Sequence, residues 1–425
     1  MDEKCGFKDA WYPAMFSHEL TSAEPYGIQI LGYPLVFWRS KGKAVCAMDA
    51  CPHRSAPLSV GRMEDGILEC KYHGWQFNDK GECDYVPAQP DKQPTKANHC
   101  DTLPCVEKYE AIWVWIAAEH SSILTEGQRQ EKFPDSLFSY YGDSAYICNT
   151  GSRDLEIDHG LMIENLLDPA HLPFTHEGTL AKRSDAQLLE MDLDWNTCTR
   201  DKPPADEQEW YSAAQAMGSV GFQTTAFRPN DVPAKKRLGS FCFVAPVGMV
   251  LDMKSEKFRL IQVHFNVPVT PTKMRIIFFF YRNVATFVKY LPGQNYLFQW
   301  MSDKIIEQDV ILLSGQQVRL RQGARAWNSA VRADTGGVLY RKWRERAEKS
   351  KPWFRGFAVV NKSGGDIEDF ETAEEETLFD VPATSMFKPR DRLPMLTPFV
   401  RNAFIAVAVA ILFLLFSYFG LVPFP

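Results

Sequence analysis

Residues 51–62 (CPHRSAPLSVGR) and 70–77 (CKYHGWQF) decide how this chain is read. Each stretch pairs one Cys with one His at close spacing, Cys51 with His53 and Cys70 with His73, and sixteen residues separate the two halves. Two thiolates with two imidazoles are the ligands of a [2Fe-2S] cluster in which a pair of His replaces a pair of Cys on one iron, raising its reduction potential. The pattern predicts that Cys51 and Cys70 hold one iron and that His53 and His73 hold the other. Structural zinc is the competing reading, because two Cys and two His also suit tetrahedral Zn. Zinc fingers group like with like, however, whereas here each half mixes the two ligand types.

At 425 residues the chain has room for about two or three domains. Hydrophobic residues make up 45% and aromatics 13%, the composition of a globular protein with apolar surface to bury. A net charge of -6 and no basic stripe argue against nucleic acid as a partner, since phosphate binding needs clustered Lys and Arg. The ten cysteines show no pairing rhythm, and the start MDEKCGFKDAWYPAM is neither a signal peptide nor a transit sequence, which fits a reducing compartment. Residues 403–422 form a run of twenty without a charge, the length that crosses a bilayer, and read as a single C-terminal membrane span. Lys388, Arg390, Arg392 and Arg401 precede it and no charge follows, so the catalytic body is expected on the cytoplasmic or stromal side. A buried globular helix is the alternative for this run.

Residues 11–119 read as short strands and turns, a small all-β domain. GIQILGYPLVFWRS and KAVCAMDA flank a Lys41-Gly42 hairpin turn, and CVEKYEAIWVWIAAE supplies one closing strand. Residues 120–145 read as a polar connector. A second domain is expected over 146–351, opening with a helix around IDHGLMIENLLD and continuing through antiparallel strands in SFCFVAPVGMVLDM, KFRLIQVHFNVPV and KMRIIFFFYR. RDKPPADEQEW and FRPNDVPAKKRLGS read as surface excursions, and helices are expected near 302–317 and 334–349. Residues 352–400 read as an acidic linker followed by a basic juxtamembrane segment.

A cluster that transfers single electrons needs an acceptor, and ENLLDPAHLPFTH offers His171 and His176 with Asn165 and Asp168 just upstream. Non-heme Fe(II) oxygenases hold their metal with two His and one carboxylate and leave positions open for O2 and substrate. Pro173, between the two His, is expected to end a helix and return His176 from a loop. The third ligand is expected from Asp309 in SDKIIEQDVILLSGQQ. At helical spacing it sits amid Ile305, Ile306, Leu312 and Leu313, and a carboxylate on an apolar face is costly unless paired or metal-bound. A buried ion pair is its plainer reading. Gln316, two turns on, is the candidate outer partner. Asp168 followed by Pro169 also reads as an ordinary helix N-cap, against a role linking the two metal centres.

With both sites in hand, the chain resembles the Rieske non-heme iron oxygenases over nearly its whole length. Within them it is similar to the pheophorbide a oxygenase, chlorophyllide a oxygenase and translocon-associated Rieske protein group. WYPAM, CPHRSAPLSVGR, CKYHGWQFNDKGEC, ENLLDPAHLPFTH and EQDVILLSGQQ carry the resemblance. Respiratory Rieske proteins add a Cys to each cluster loop, and neither loop here has one. The resemblance implies an α+β fold, with a Rieske domain followed by a helix-grip (START-like) catalytic domain and a transmembrane helix. It implies two cofactors, a [2Fe-2S] cluster at Cys51, His53, Cys70 and His73 and a mononuclear Fe(II) at His171, His176 and Asp309. It implies electrons from ferredoxin or a reductase, reaction with O2 on a lipophilic small molecule, a homotrimer, and Asp168 relaying electrons across a subunit boundary, with Asn165 beside it as a second catalytic-site residue. A plastid or cyanobacterial-type membrane is the implied location, and a chlorophyll-derived tetrapyrrole the implied substrate. Sterol oxidation and plain electron transfer are the alternatives. No Cys follows Cys242, so the C-terminal C-x-x-C of several members is missing.

Overall fold

A computed structural model describes residues 6–118, 124–186, 188–194, 221–228, 236–254, 258–290, 293–325 and 329–349. The expected excursion at 200–210, the linker at 352–400 and the membrane span at 403–422 lie outside these residues. Among the described residues no helix is long and apolar enough to cross a membrane.

The N-terminal domain contains eleven strands: β1 (Ala10–Phe16), β2 (Tyr26–Ile30), β3 (Tyr33–Ser40), β4 (Lys43–Met48), β5 (Arg62–Glu64), β6 (Ile67–Glu69), β7 (Gln76–Phe77), β8 (Cys83–Tyr85), β9 (Thr102–Leu103), β10 (Cys105–Lys108) and β11 (Ala111–Ile116). They form three antiparallel sheets, ordered β2-β3-β4-β9, β5-β6-β7-β8 and β1-β11-β10. Tight two-residue turns set the register. Leu31-Gly32, Lys41-Gly42 and Asp65-Gly66 have positive φ at both positions, the mirror-image turn whose twist matches paired strands. Tyr109 and Glu110 do the same at φ 56 and 59 without a glycine. The stretch expected to be one closing strand is therefore a hairpin of β10 and β11.

The connector is not simply polar. It contains helix α1 (Glu126–Glu131), and its Phe133 and Phe138 are buried with ring centroids 4.9 and 5.9 Å from Trp113.

The second domain opens with a strand, β12 (Ile147–Leu155), ahead of the expected helix α2 (His159–Leu166) and the short α3 (Leu172–Thr175). The strands β13 (Glu190–Asp194), β14 (Gly221–Arg228), β15 (Lys236–Val244), β16 (Gly248–Lys254), β17 (Arg259–Thr270) and β18 (Lys273–Arg282) follow. All join one seven-stranded sheet in the order β12-β18-β17-β16-β15-β14-β13. Both ends of the expected excursion at 227–240 thus belong to the paired strands β14 and β15. Helices α4 (Gln294–Arg321) and α5 (Thr335–Lys349) complete the domain, α4 running well beyond its expected bounds.

The two faces of this sheet do different work. Phe265 and Phe279 point one way, with Phe265 5.0 Å from Trp113 and Phe279 5.5 Å from Phe16, so the domains share a core. Buried Arg275 ties the same seam. It donates to both oxygens of Asp154 at 2.6 and 2.9 Å and to the Ala14 carbonyl at 3.0 Å. The opposite face carries the helices: Phe280 meets Phe298 of α4 at 5.1 Å, and Phe243 meets Trp343 of α5 at 4.8 Å.

Helix α2 is held at its start. Asp158 accepts from the backbone N–H of Gly160 and Leu161 at 2.8 and 3.1 Å, an N-cap that favours negative charge. Arg344 of α5 donates to both oxygens of the same carboxylate, while Gln317 of α4 accepts from the Asp158 backbone N–H at 2.6 Å. A Cβ at position 160 would stand 1.9 Å from Arg344 Nη1, so any larger residue there must displace the guanidinium.

Candidate metal centres

The first centre lies where the loops after β4 and β6 meet. Each loop closes on itself through backbone hydrogen bonds: Cys51 N–H donates to Ala56 O at 2.8 Å and Ser55 N–H to Cys51 O at 2.8 Å, while Cys70 N–H donates to Trp75 O at 2.8 Å and Gly74 N–H to Cys70 O at 2.9 Å. Two similar turns thus present a Cys followed by a His. Cys51 and Cys70 are 3% and 1% exposed, whereas both His lie at the surface. The His53 and His73 rings are 4.5 Å apart, and His53 stacks on Trp75 at 4.8 Å. The Cys70 thiol hydrogen-bonds to that of Cys51, whose pKa burial pushes up to about 12, so a thiolate there needs positive charge beside it. The donor set fits a cluster with a buried thiolate end and an exposed imidazole end.

The second centre joins three segments. His171 ends a short 3-10 turn (Pro169–His171), His176 follows α3, and Asp309 lies midway along α4. Pro173 does not end a helix, contrary to expectation. It occupies the first turn of α3, where its missing N–H costs nothing. One donor atom from each of His171, His176 and Asp309 lies within 4.8 Å of the others. Asp309 Oδ1 stands 3.2 Å from His176 Nε2 and 3.7 Å from His171 Nε2, yet it has no hydrogen-bond partner among the described residues. An 8%-exposed carboxylate with an orphaned oxygen facing two imidazoles is the arrangement a dication would satisfy.

The helix carrying Asp309 is less amphipathic than expected. Leu313 is buried and packs with Ile306 and Val310, but Leu312 is 59% exposed, so it does not share the face of Asp309.

Two family models match: a Rieske [2Fe-2S] domain over residues 10–109 and a vanillate O-demethylase oxygenase C-terminal domain over residues 155–350. The chain belongs to the Rieske oxygenases. Among curated proteins this Rieske oxygenase is similar to chlorophyllide a oxygenase of Oryza sativa subsp. japonica, 28% identical over 348 residues, 80% of this chain and 57% of that one. It is also similar to pheophorbide a oxygenase of the same organism, 26% identical over 386 residues, 83% of this chain and 67% of that one. The chain thus spans little more than half the length of the first of these relatives. Its fold is that of dicamba monooxygenase bound to dicamba, with a TM-score of 0.61 at 21% identity over 81% of this chain and 98% of that one.

Gln308, not Gln316, is the outer partner in this Rieske oxygenase. Its Oε1 lies 2.9 Å from His176 Nδ1 and accepts from Thr179 Oγ1 at 2.9 Å, whereas Gln316 is exposed. A carbonyl at that spot selects the tautomer with the proton on Nδ1 and turns the Nε2 lone pair toward Asp309. Burial pushes the His176 imidazole toward neutrality, but the Asp309 and Gln308 side chains outweigh it and raise the pKa, so a metal at Nε2 competes with a proton. Helical periodicity could not reveal Gln308, because its partner is 132 residues away in sequence. Gln308→Leu is expected to weaken iron binding by about 10- to 100-fold, the usual cost of losing an outer partner. An iron titration followed by metal analysis measures it.

Asp168 is the N-cap that its sequence context suggests, its Oδ1 accepting from Ala170 N–H at 2.7 Å. Its other oxygen lies 3.7 Å from His171 Nδ1, beyond hydrogen-bond range, and that nitrogen is buried with no partner among the described residues. Asn165 contributes a backbone carbonyl to the Asp168 N–H at 3.0 Å.

Proposed function

We propose that this chain is a membrane-anchored Rieske monooxygenase that inserts oxygen from O2 into a lipophilic ring, specifically a chlorophyll-derived tetrapyrrole. One observation carries the reading: His171, His176 and Asp309 gather donor atoms within 4.8 Å in the domain that follows a Rieske domain. Chlorophyllide a and pheophorbide a oxygenases among the relatives supply the substrate class, and their chloroplastic naming supports a plastid or cyanobacterial-type membrane. Residues 403–422 are the proposed single-pass anchor. We read the catalytic domain as a helix grip, α4 lying against β12 and β18.

In this reading Cys51, His53, Cys70 and His73 hold the [2Fe-2S] cluster, and His171, His176 and Asp309 hold one iron. A dicamba monooxygenase structure was solved with non-heme iron and dicamba. The bound metals supply electron delivery and O2 activation, the electrons coming from ferredoxin or a reductase. The protein's own groups do the positioning. Gln308 fixes the His176 tautomer, the α2 cap fixes the approach of the His171 segment, and exposed His53 and His73 face the electron source. A homotrimer brings the cluster of one subunit to the iron of the next, with Asp168 and Asn165 between them.

Reduced ferredoxin, Fe(II), labelled O2 and either pheophorbide a, chlorophyllide a or cholesterol, with products read by mass spectrometry, test the reaction. Label in a tetrapyrrole is expected. Label only in cholesterol replaces the substrate class, and cluster reoxidation without labelled product leaves electron transfer as the function. For the relay, Asp168→Asn retains an oxygen for the cap, so stability is expected to fall by less than the ~1 kcal/mol of a lost cap. Single-turnover cluster oxidation should nonetheless slow sharply with both metals retained. An unchanged rate reduces Asp168 to a cap.

A further inference from the structure

We infer that the helix-covered face of the seven-stranded sheet holds a hydrogen-bonding subsite, centred on His264, for a neutral O–H or N–H group of the ring substrate. The inference deepens the proposed oxygenase reading and rests on its lipophilic substrate.

Register places the groups. Asn149, Phe280 and Gln262 form one row across β12, β18 and β17, and Gly151, Phe278 and His264 form the next. Directly opposed residues share a face, and alternation adds Asn266 to it. Phe298 of α4 covers this face at 6.3 Å from Phe278 and 5.1 Å from Phe280. Phe278 and Phe298 belong to the apolar cluster that contains Ile306, Val310 and Leu313, the neighbours of Asp309 on α4. The wall that flanks the iron ligands therefore continues into the wall that flanks His264.

Three polar groups on this face lack partners. His264 Nδ1, Asn149 Oδ1 and Asn266 Oδ1 have none among the described residues, although their residues are only 8%, 1% and 0% exposed. Buried polar atoms in native proteins are normally satisfied, so three exceptions on one face mark where a bound group would complete them. Their partners show what they want. His264 Nε2 faces Gln262 Oε1 at 2.9 Å, which places the ring proton on Nε2 and leaves a lone pair on Nδ1. The Asn149 amide nitrogen donates to Gln294 Oε1 and Asn295 Oδ1 at 2.8 and 2.9 Å, and that of Asn266 to Val247 O at 3.4 Å. What remains is three acceptors, so the matching ligand group is a donor. Burial alone pushes the His264 imidazole down to about 4, keeping it neutral. Arg153, in the row of Asn266, is engaged by Asp303 and Glu307 and offers no cation to a carboxylate.

Gly151 makes room for the Phe278 ring. A Cβ there would stand 2.4 Å from Phe278 Cζ, so the Phe278 ring lies over the glycine, its centroid 6.0 Å from that of His264. Gly151→Ala displaces that ring without touching His264.

The test uses the full-length protein with both metals, kept anaerobic, and ligand binding followed by fluorescence quenching. Two matched pairs separate the donor's source: pheophorbide a against its zinc complex, which lacks the ring N–H, and cholesterol against its methyl ether, which lacks the O–H. Wild type is expected to prefer the donor-bearing member of one pair by about tenfold or more, one such hydrogen bond's worth. His264→Phe should erase that preference with iron and cluster contents unchanged, and Gly151→Ala should weaken it. Thermal unfolding bounds a structural role, because exchanging the imidazole for phenyl removes one hydrogen bond, to Gln262, and relieves the orphaned Nδ1, so the midpoint should move little. A midpoint lowered by several degrees overturns the subsite, as does equal binding within both pairs. Binding of no probe by wild type overturns the ring-substrate reading as well.

Discussion

Asp309→Ala is expected to strip the mononuclear iron and abolish turnover while leaving the Rieske signal intact. The carboxylate is the one negative charge in the three-residue group, and its orphaned Oδ1 faces both imidazoles. Loss of an outer partner alone costs about 10- to 100-fold in metal affinity, so loss of a ligand costs at least that much. In the metal-free protein the substitution relieves a buried, unsatisfied carboxylate, so the folded state should be no less stable. Iron analysis, EPR of the reduced cluster and a thermal scan report the three quantities separately. Unchanged iron content moves the third ligand elsewhere.

Arg344→Met is expected to destabilise the protein by about 3 kcal/mol at neutral pH, the cost of leaving one partner of a buried ion pair behind. Burial alone would raise the Asp158 pKa, but Arg344 foremost and then His159 hold it well below the usual carboxylate range. A depressed folded pKa gives stabilisation that is present above the unfolded value of 3.8 and lost as pH falls below it. Without Arg344 burial prevails, the carboxylate pKa rises, and protonation becomes the relief. The gap between wild type and variant should therefore be widest near neutrality and shrink as the solution is acidified, which melts at several pH values will show. Because α2 carries Asn165 and leads directly into Asp168 and His171, iron affinity should fall too. A gap that is constant with pH would mean that the guanidinium acts through packing only.

The candidate ligand residues were legible because each candidate segment is local. Cys51 with His53, Cys70 with His73 and His171 with His176 are fixed by spacing within single loops, and Asp309 stood out as a carboxylate among aliphatic neighbours. Hairpins marked by glycine were equally legible, while Tyr109-Glu110 hid a turn inside what reads as continuous strand. β12 escaped because ICNTGSRDL has little strand propensity of its own. It becomes a strand by pairing with β18 along nine residues.

The sequence by itself determined the cofactor chemistry, the two-domain order and the candidate metal-binding side chains, since these follow from residue type and short spacing. Only the tertiary structure decided which groups tune them. Gln308 meets His176 across 132 residues, Arg344 meets Asp158 across 186, and the acceptors around His264 share a face only because three strands pair in one register. Periodicity assigns a side chain to a face of its own element. What stands opposite that face depends on how distant elements pack, and no local pattern encodes it.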